Sequence, residues 1–309
     1  MASRATLVLG LLAANCGLVA SMPSWAQSSA VPPSCSSPAI VNVKSQSNAN
    51  GKAQSSGGKE EAHRKVLIDR IEFDQPVHLT ASEVDQIIKE TNEEEMGADS
   101  PNWLDKVAEI QLRSAWQDQG YFEIAIDPLA RSIGRDANSE RFVVEVHILN
   151  EGPQFHLGSI QFVGGTSIPD AELRDAIPIR EGEIFSVKQV RMGIEAVTKL
   201  YGAHGYADFT VVPETDVNEQ LQRIDLVLKL DEEKQYRVGS FEISGLDPTL
   251  EASMRSVAMP GEVFNMNAIS TFFKENRSVL PPRALDNLEI QRNVSTGIAE
   301  LTFDARTCR

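Results

Sequence analysis

Phe155-His156-Leu157-Gly158-Ser159-Ile160-Gln161-Phe162-Val163-Gly164 returns about 81 residues later as Tyr236-Arg237-Val238-Gly239-Ser240-Phe241-Glu242-Ile243-Ser244-Gly245. Both stretches run aromatic, basic, aliphatic, Gly-Ser, an apolar/polar alternation, then Gly. Self-similarity at a fixed period marks a modular array, and such arrays are usually scaffolds. The alternation predicts a half-buried strand at the head of each copy.

The rest of the repeat lies around these strands. Residues 186–201 carry Val190, Ile194, Val197 and Leu200 on one side of a predicted helix, and a shorter helix is expected over 169–176. Strands are predicted over 206–212 and 223–230. The order strand, helix, helix, strand, strand also fits the preceding segment. Its strand ends at Phe73, Thr80 and Glu83 form a capping box, and a second helix runs from Pro101 to Gly120. Strands over 121–126 and 141–148 follow. A third copy opens at Val238, with helices near 248–257 and 267–276 and a last strand near 298–303. Finer matches accompany this order. Trp116-Gln117-Asp118-Gln119-Gly120-Tyr121 parallels Tyr201-Gly202-Ala203-His204-Gly205-Tyr206, and Gly182-Glu183-Ile184-Phe185 parallels Gly261-Glu262-Val263-Phe264.

Modules of ~75–90 residues in βααββ order resemble POTRA (polypeptide-transport-associated) domains. The opening G-S-I-Q-F-V-G, the middle E-G-E-I-F-S, the Y-G-A-H-G-Y after the long helix and the closing I-D-L-V-L-K-L-D-E carry the resemblance. It implies an α+β fold of tandem modules, each a small three-stranded mixed sheet packed on two helices, over 65–152, 153–234 and 235–309. The third copy has Val279-Leu280-Pro281-Pro282-Arg283-Ala284 where the Gly-Tyr turn stands in the others. The resemblance further implies a periplasmic array related to BamA-like and TamA-like assembly proteins and to secretion transporters. Its expected partners are such an outer-membrane β-barrel protein, unfolded outer-membrane polypeptides, or both. Only six residues follow Phe303, so the expectation is an array without the barrel.

Arg4 and the apolar run Ala5 to Ala20, closed by Ser24-Trp25-Ala26, read as a signal peptide over 1–26. No integral membrane segment is expected after its cleavage. Residues 27–64 are rich in Ser, Pro, Gly, Asn and Gln and read as a disordered tether spanning roughly 30–35 Å. Lys plus Arg total 29 and Asp plus Glu 44, a net charge of −15. That balance excludes nucleic acid as a natural partner. Cys35 and Cys308 remain in the exported chain. A disulfide between them, free thiols and a covalent dimer all stay open.

No catalytic motif is present: the five histidines are scattered, and no H-E-x-x-H, C-x-x-C, P-loop or G-x-S-x-G occurs. The chain is expected to be non-enzymatic, with no cofactor and no metal. By resemblance, the strand after each long helix lies at a sheet edge. Phe122, Ile124 and Ile126 in the first module, and Phe209, Val211 and Val212 in the second, are therefore the candidate partner-binding residues. An unpaired edge offers ladder hydrogen bonds to any guest sequence. A proline at Thr210 is expected to block such addition if that N–H faces outward. Gly120-Tyr121 and Gly205-Tyr206 read as structural turns, with Gly in the left-handed conformation that stops a helix. A second reading is a cell-envelope structural or division-site protein using the same modules for docking.

Overall fold

The computed structural model describes residues 64–306. The predicted signal peptide, nearly all of the tether, Cys35 and Cys308 lie outside the described residues. Three small sheets follow one another along the chain, each with its last strand in the centre.

In the first unit, β1 (Lys65–Phe73) lies parallel to the central β3 (Ser139–Asn150), and β2 (Ala125–Arg135) pairs antiparallel on its other side. Helix α1 (Ala81–Glu93) opens with the expected capping box, Thr80 accepting from the Glu83 amide while Glu83 reaches back. A long helix, α2 (residues 103–118), contains a π-helical segment at Val107–Leu112 that turns Val107, Ala108 and Leu112 inward.

The second unit repeats this with β4 (His156–Val163), α3 (Asp170–Ala176), α4 (Val187–Ala203), β5 (Thr210–Asn218) and the central β6 (Arg223–Asp231). The third has β7 (Arg237–Ser244), α5 (Pro248–Val257), α6 (Met266–Glu275), β8 (Leu288–Asn293) and the central β9 (Ile298–Asp304). Each sheet turns one face to its two helices. On β6 the buried row is Ile224, Leu226, Leu228 and Leu230; on β9 it is Ala299, Leu301 and Phe303. Three separate apolar cores result.

The Gly-Ser repeat marks a shift of register in the first strand, between Leu157 and Ile160 in β4 and between Val238 and Phe241 in β7. Ser159 Oγ donates to Asp225 on the central strand at 2.8 Å. The Gly-Glu-aliphatic-Phe repeat folds back along the same strand. Leu157 N–H donates to Glu183 C=O and Gly182 N–H to Leu157 C=O, both at 2.8 Å. Val238 makes the same pair with Glu262 and Gly261. The start of each first strand is thereby covered, a common way of protecting a sheet edge.

Two strand predictions need correction. The strands expected at 121–126 and 206–212 begin at Ala125 and Thr210 instead. The residues just after each Gly-Tyr turn are irregular because they fill cores: Ile124 is 2% exposed and Phe209 8%. The resemblance implies a third strand in the last sheet without placing it; β8 supplies that strand and completes the sheet without a Gly-Tyr turn.

Candidate functional site

The central strand leaves two edges on each sheet, and the second edge is formed by β2, β5 and β8. Of the residues predicted to line it, only Ile126, Val211 and Val212 lie within the strands. Ile126 and Val211 lean on their own cores. Val212 is 56% exposed and shares a rung with Lys229 and the equally open Val163. Phe209 stacks on Tyr201 with ring centroids 3.9 Å apart.

Both β2 and β5 carry a proline, Pro128 opposite Val146 and Pro213 opposite Leu228. Each stands eight positions after its Gly, a spacing read directly from the chain. Proline has no N–H, so it sits in an edge strand with its ring nitrogen turned outward. By the same parity the Val211 and Val217 N–H groups of β5 face outward, with a gap at Pro213. Thr210 has the opposite parity, so its N–H faces β6, and a proline there would break the ladder instead of blocking a guest. β8 has no proline.

Phe122 leaves its own module altogether. It packs on the core of the second unit, edge-on to Phe155 at 6.1 Å and to Phe185 at 5.6 Å. The Gly-Tyr turn is thus part of a joint. Gly120 has φ +82°, and its C=O accepts from the Phe155 N–H at 2.9 Å. A Cβ on Gly120 would lie 2.7 Å from Phe155 O. Gln154 Nε2 donates to Gln119 C=O at 2.9 Å. The next joint repeats this: Gly205 has φ +87°, Tyr236 N–H donates to Gly205 C=O at 2.8 Å, and Gln235 Nε2 to His204 C=O at 2.9 Å.

The connectors share a further signal that the sequence reading passed over. Glu151-Gly152-Pro153-Gln154-Phe155 and Glu232-Glu233-Lys234-Gln235-Tyr236 both read Glu-x-x-Gln-aromatic. The residue after each leading Glu is left-handed, Gly152 at φ +76° and Glu233 at +51°. The Glu itself is held by the aromatic at the end of its long helix. Trp116 Nε1 donates to Glu151, and Tyr201 Oη to Glu232, each at 2.9 Å.

Glu232 also accepts from the Ser167 and Thr166 amides and both hydroxyls. Burial opposes its charge, but these donors and Tyr201 outweigh it and hold the carboxyl down at about 2. At the first joint Asp118 accepts from the Lys188 N–H at 2.6 Å, at the start of α4, and burial pushes its carboxyl up.

Among the described residues no three His, Cys, Asp or Glu side chains gather as a metal site, and no helix is long and apolar enough to cross a membrane.

Three sheets of this order, each with its helices and joined by repeated turns, give an α+β fold that matches POTRA repeats. Residues 155–233 match the POTRA family model, described as surface antigen variable number repeat. A stretch of 147 residues, 47% of this chain, is 29% identical to the outer membrane protein assembly factor BamA of Neorickettsia risticii (strain Illinois), of which it covers 19%. A Treponema pallidum (strain Nichols) protein, also named for outer-membrane protein assembly, is 22% identical over 65% of this chain and 25% of its own length. The chain therefore spans a quarter or less of these relatives. The crystal structure of Haemophilus influenzae BamA POTRA3-5 superposes with a TM-score of 0.53 at 14% identity, covering 79% of this chain and 96% of that one. It shares the fold.

Proposed function

We propose that this chain is a non-enzymatic, periplasmic interaction scaffold that works with outer-membrane protein assembly or secretion and takes extended partner segments at free sheet edges. The similarity to assembly factors supports the setting. The observation that carries the binding mode is the unequal second edge. Pro128 and Pro213 interrupt β2 and β5, whereas β8 runs uninterrupted from Leu288 to Asn293. Strand addition draws its affinity from consecutive main-chain hydrogen bonds. A missing donor and a protruding ring weaken it at the interrupted edges. β8 is thus the preferred acceptor, with Val211 and Val212 as a secondary one and Ile126 beside Pro128 the poorest. The roles of Phe122, Ile124 and Phe209 become structural.

The test is site-specific photo-crosslinking from Gln291 in β8, Val212 in β5 and Leu129 in β2 to an unfolded outer-membrane barrel polypeptide. Capture is expected to be strongest from Gln291. Capture from none of the three, with the chain still folded by circular dichroism, would remove the reading.

A further inference from the structure

The two joints share their main-chain contacts and differ in what surrounds them. At the first, the positions next to the staple are apolar: Phe122 lies on the core that contains Phe155 and Phe185, and Val217 packs against the same cluster. At the second, register places different residues in the same roles. Ala207 replaces Phe122, Tyr236 replaces Phe155, and Arg292 replaces Val217, since Val217 pairs with Ile224 as Arg292 pairs with Ala299. Asp208 takes the place of Glu123.

These four residues form a polar cluster across the joint. Tyr236 Oη donates to Asp208 Oδ2 at 2.5 Å. Arg292 Nη1 lies 2.6 Å from Asp208 Oδ1 and donates to Ala207 C=O at 3.0 Å. Asn267 Nδ2 adds a bond to Lys199 C=O at 2.6 Å. The Arg292 and Asp208 side chains are 32% and 27% exposed, so mobile ions reach them.

We infer that the second joint is a releasable ionic clasp, Arg292–Asp208–Tyr236, whereas the first is a lasting one built on the apolar Phe122 contact, with Asp118 bonded to the main-chain amide of Lys188. The shared staple keeps both pairs of modules in contact. The cement around it decides how widely each pair can swing. Apolar burial is indifferent to, or strengthened by, salt. An ion pair open to solvent is weakened as the Debye length falls from ~10 Å at 0.1 M to ~3 Å at 1 M. The angle between the second and third modules therefore responds to ionic strength, and that between the first and second does not. Arg292 belongs to β8, so the strand that forms that module's second edge is also the one that grips the module before it.

The experiment uses the full chain with Cys16, Cys35 and Cys308 replaced by Ser and spin labels placed in pairs at the exposed positions Lys89, Glu172 and Ala252. Electron–electron distances between 172 and 252 report the second joint, and those between 89 and 172 the first. Raising NaCl is expected to broaden the 172–252 distribution and leave 89–172 unchanged. D208N and R292Q are each expected to reproduce the broadening at low salt, and F122A to broaden 89–172 alone. A 172–252 distribution indifferent to salt in the unsubstituted chain overturns the inference, as does equal broadening of both pairs. The salt titration needs no substitution, so misfolding of a variant cannot obscure the outcome.

Discussion

The second and third modules build the same sheet from different signals. In the second, the long helix ends in Tyr201, Gly205 and Tyr206, and Tyr201 reaches Glu232 just past the central strand. In the third, α6 ends without the Gly-Tyr pair, and counting on from Phe303, which matches Leu228, the position of Glu232 falls on Thr307, outside the described residues. Yet β7, β9 and β8 assemble in the same order as β4, β6 and β5. Leu280 and Ala284, both 6% exposed, close the third core instead. The Gly-Tyr turn is therefore not what makes the sheet. It makes the surface on which a following module is seated, which is why Gly120 and Gly205 both hand their carbonyls to the next module.

The largest expected break in this comparison is Tyr201→Ala. The ring is fully buried, stacked on Phe209, and its hydroxyl anchors Glu232. Removing a buried aromatic costs about 3–5 kcal/mol. Thermal unfolding should split, with the second module melting first and the third, which lacks this anchor, melting near its usual temperature. A single unshifted transition in calorimetry would contradict the module-specific role.

Gly205→Ala should come next. A left-handed Ala costs roughly 1–2 kcal/mol, and its Cβ would meet Val263 Cγ1 at 2.7 Å and Tyr236 O at 2.9 Å. Because the turn serves the joint, far-UV circular dichroism should hardly change while small-angle scattering reports a looser chain. Loss of the sheet signal would mean that the turn shapes the second core as well.

Much of this was legible in the sequence. Helix positions follow from caps and apolar spacing: α5 occupies the predicted 248–257, and the Thr80 box is formed. The joints were not legible, because their signals look like ordinary core residues. Phe122 follows Tyr121 as a strand residue would, and nothing local tells that its ring belongs to the next module. β8 escaped because Leu-Glu-Ile-Gln-Arg-Asn is short and polar and has no Gly-Tyr marker before it. The predicted strand stops at Ile126 and misses the rest of β2, which runs on through Pro128 and Gly134; both are usual breakers, although proline is at home on an edge strand. Tertiary placement decided each of these, and single-sequence periodicity does not encode it.

The acid limb offers a finer comparison. Glu232 has a folded pKa lowered to about 2 from 4.5. A lowered carboxyl contributes stability above its unfolded pKa, lost as pH falls through the folded value. Between pH 4.5 and 2 the second module should therefore destabilise through Glu232. The third has Thr307 at that position in the sequence, which carries no carboxyl, so it lacks this component. Glu232→Gln should flatten the acid dependence of the second module's melting temperature; an unchanged slope would assign it to other carboxylates.

The smallest effect separates the joints themselves. Burial and the hydrogen bond to Asp208 push Tyr236 up to about 12 from 10, against the pull of Arg292. A raised pKa contributes stability that is complete below the unfolded value and lost as pH rises through the folded one. Tyr236 should therefore hold the second joint up to about pH 10 and release it towards 12. Phe155 fills the same position at the first joint and has no proton to lose. The 172–252 distance distribution should broaden across that interval in the unsubstituted chain and lose the dependence in Tyr236→Phe, with 89–172 steady throughout. Tyr236→Phe also removes one donor to Asp208 while keeping the ring, so a modest broadening already at neutral pH would measure what the hydroxyl adds beyond Arg292. Identical alkaline behaviour at both joints would show instead that the shared Gly staple, and not the residues around it, sets how far the modules move.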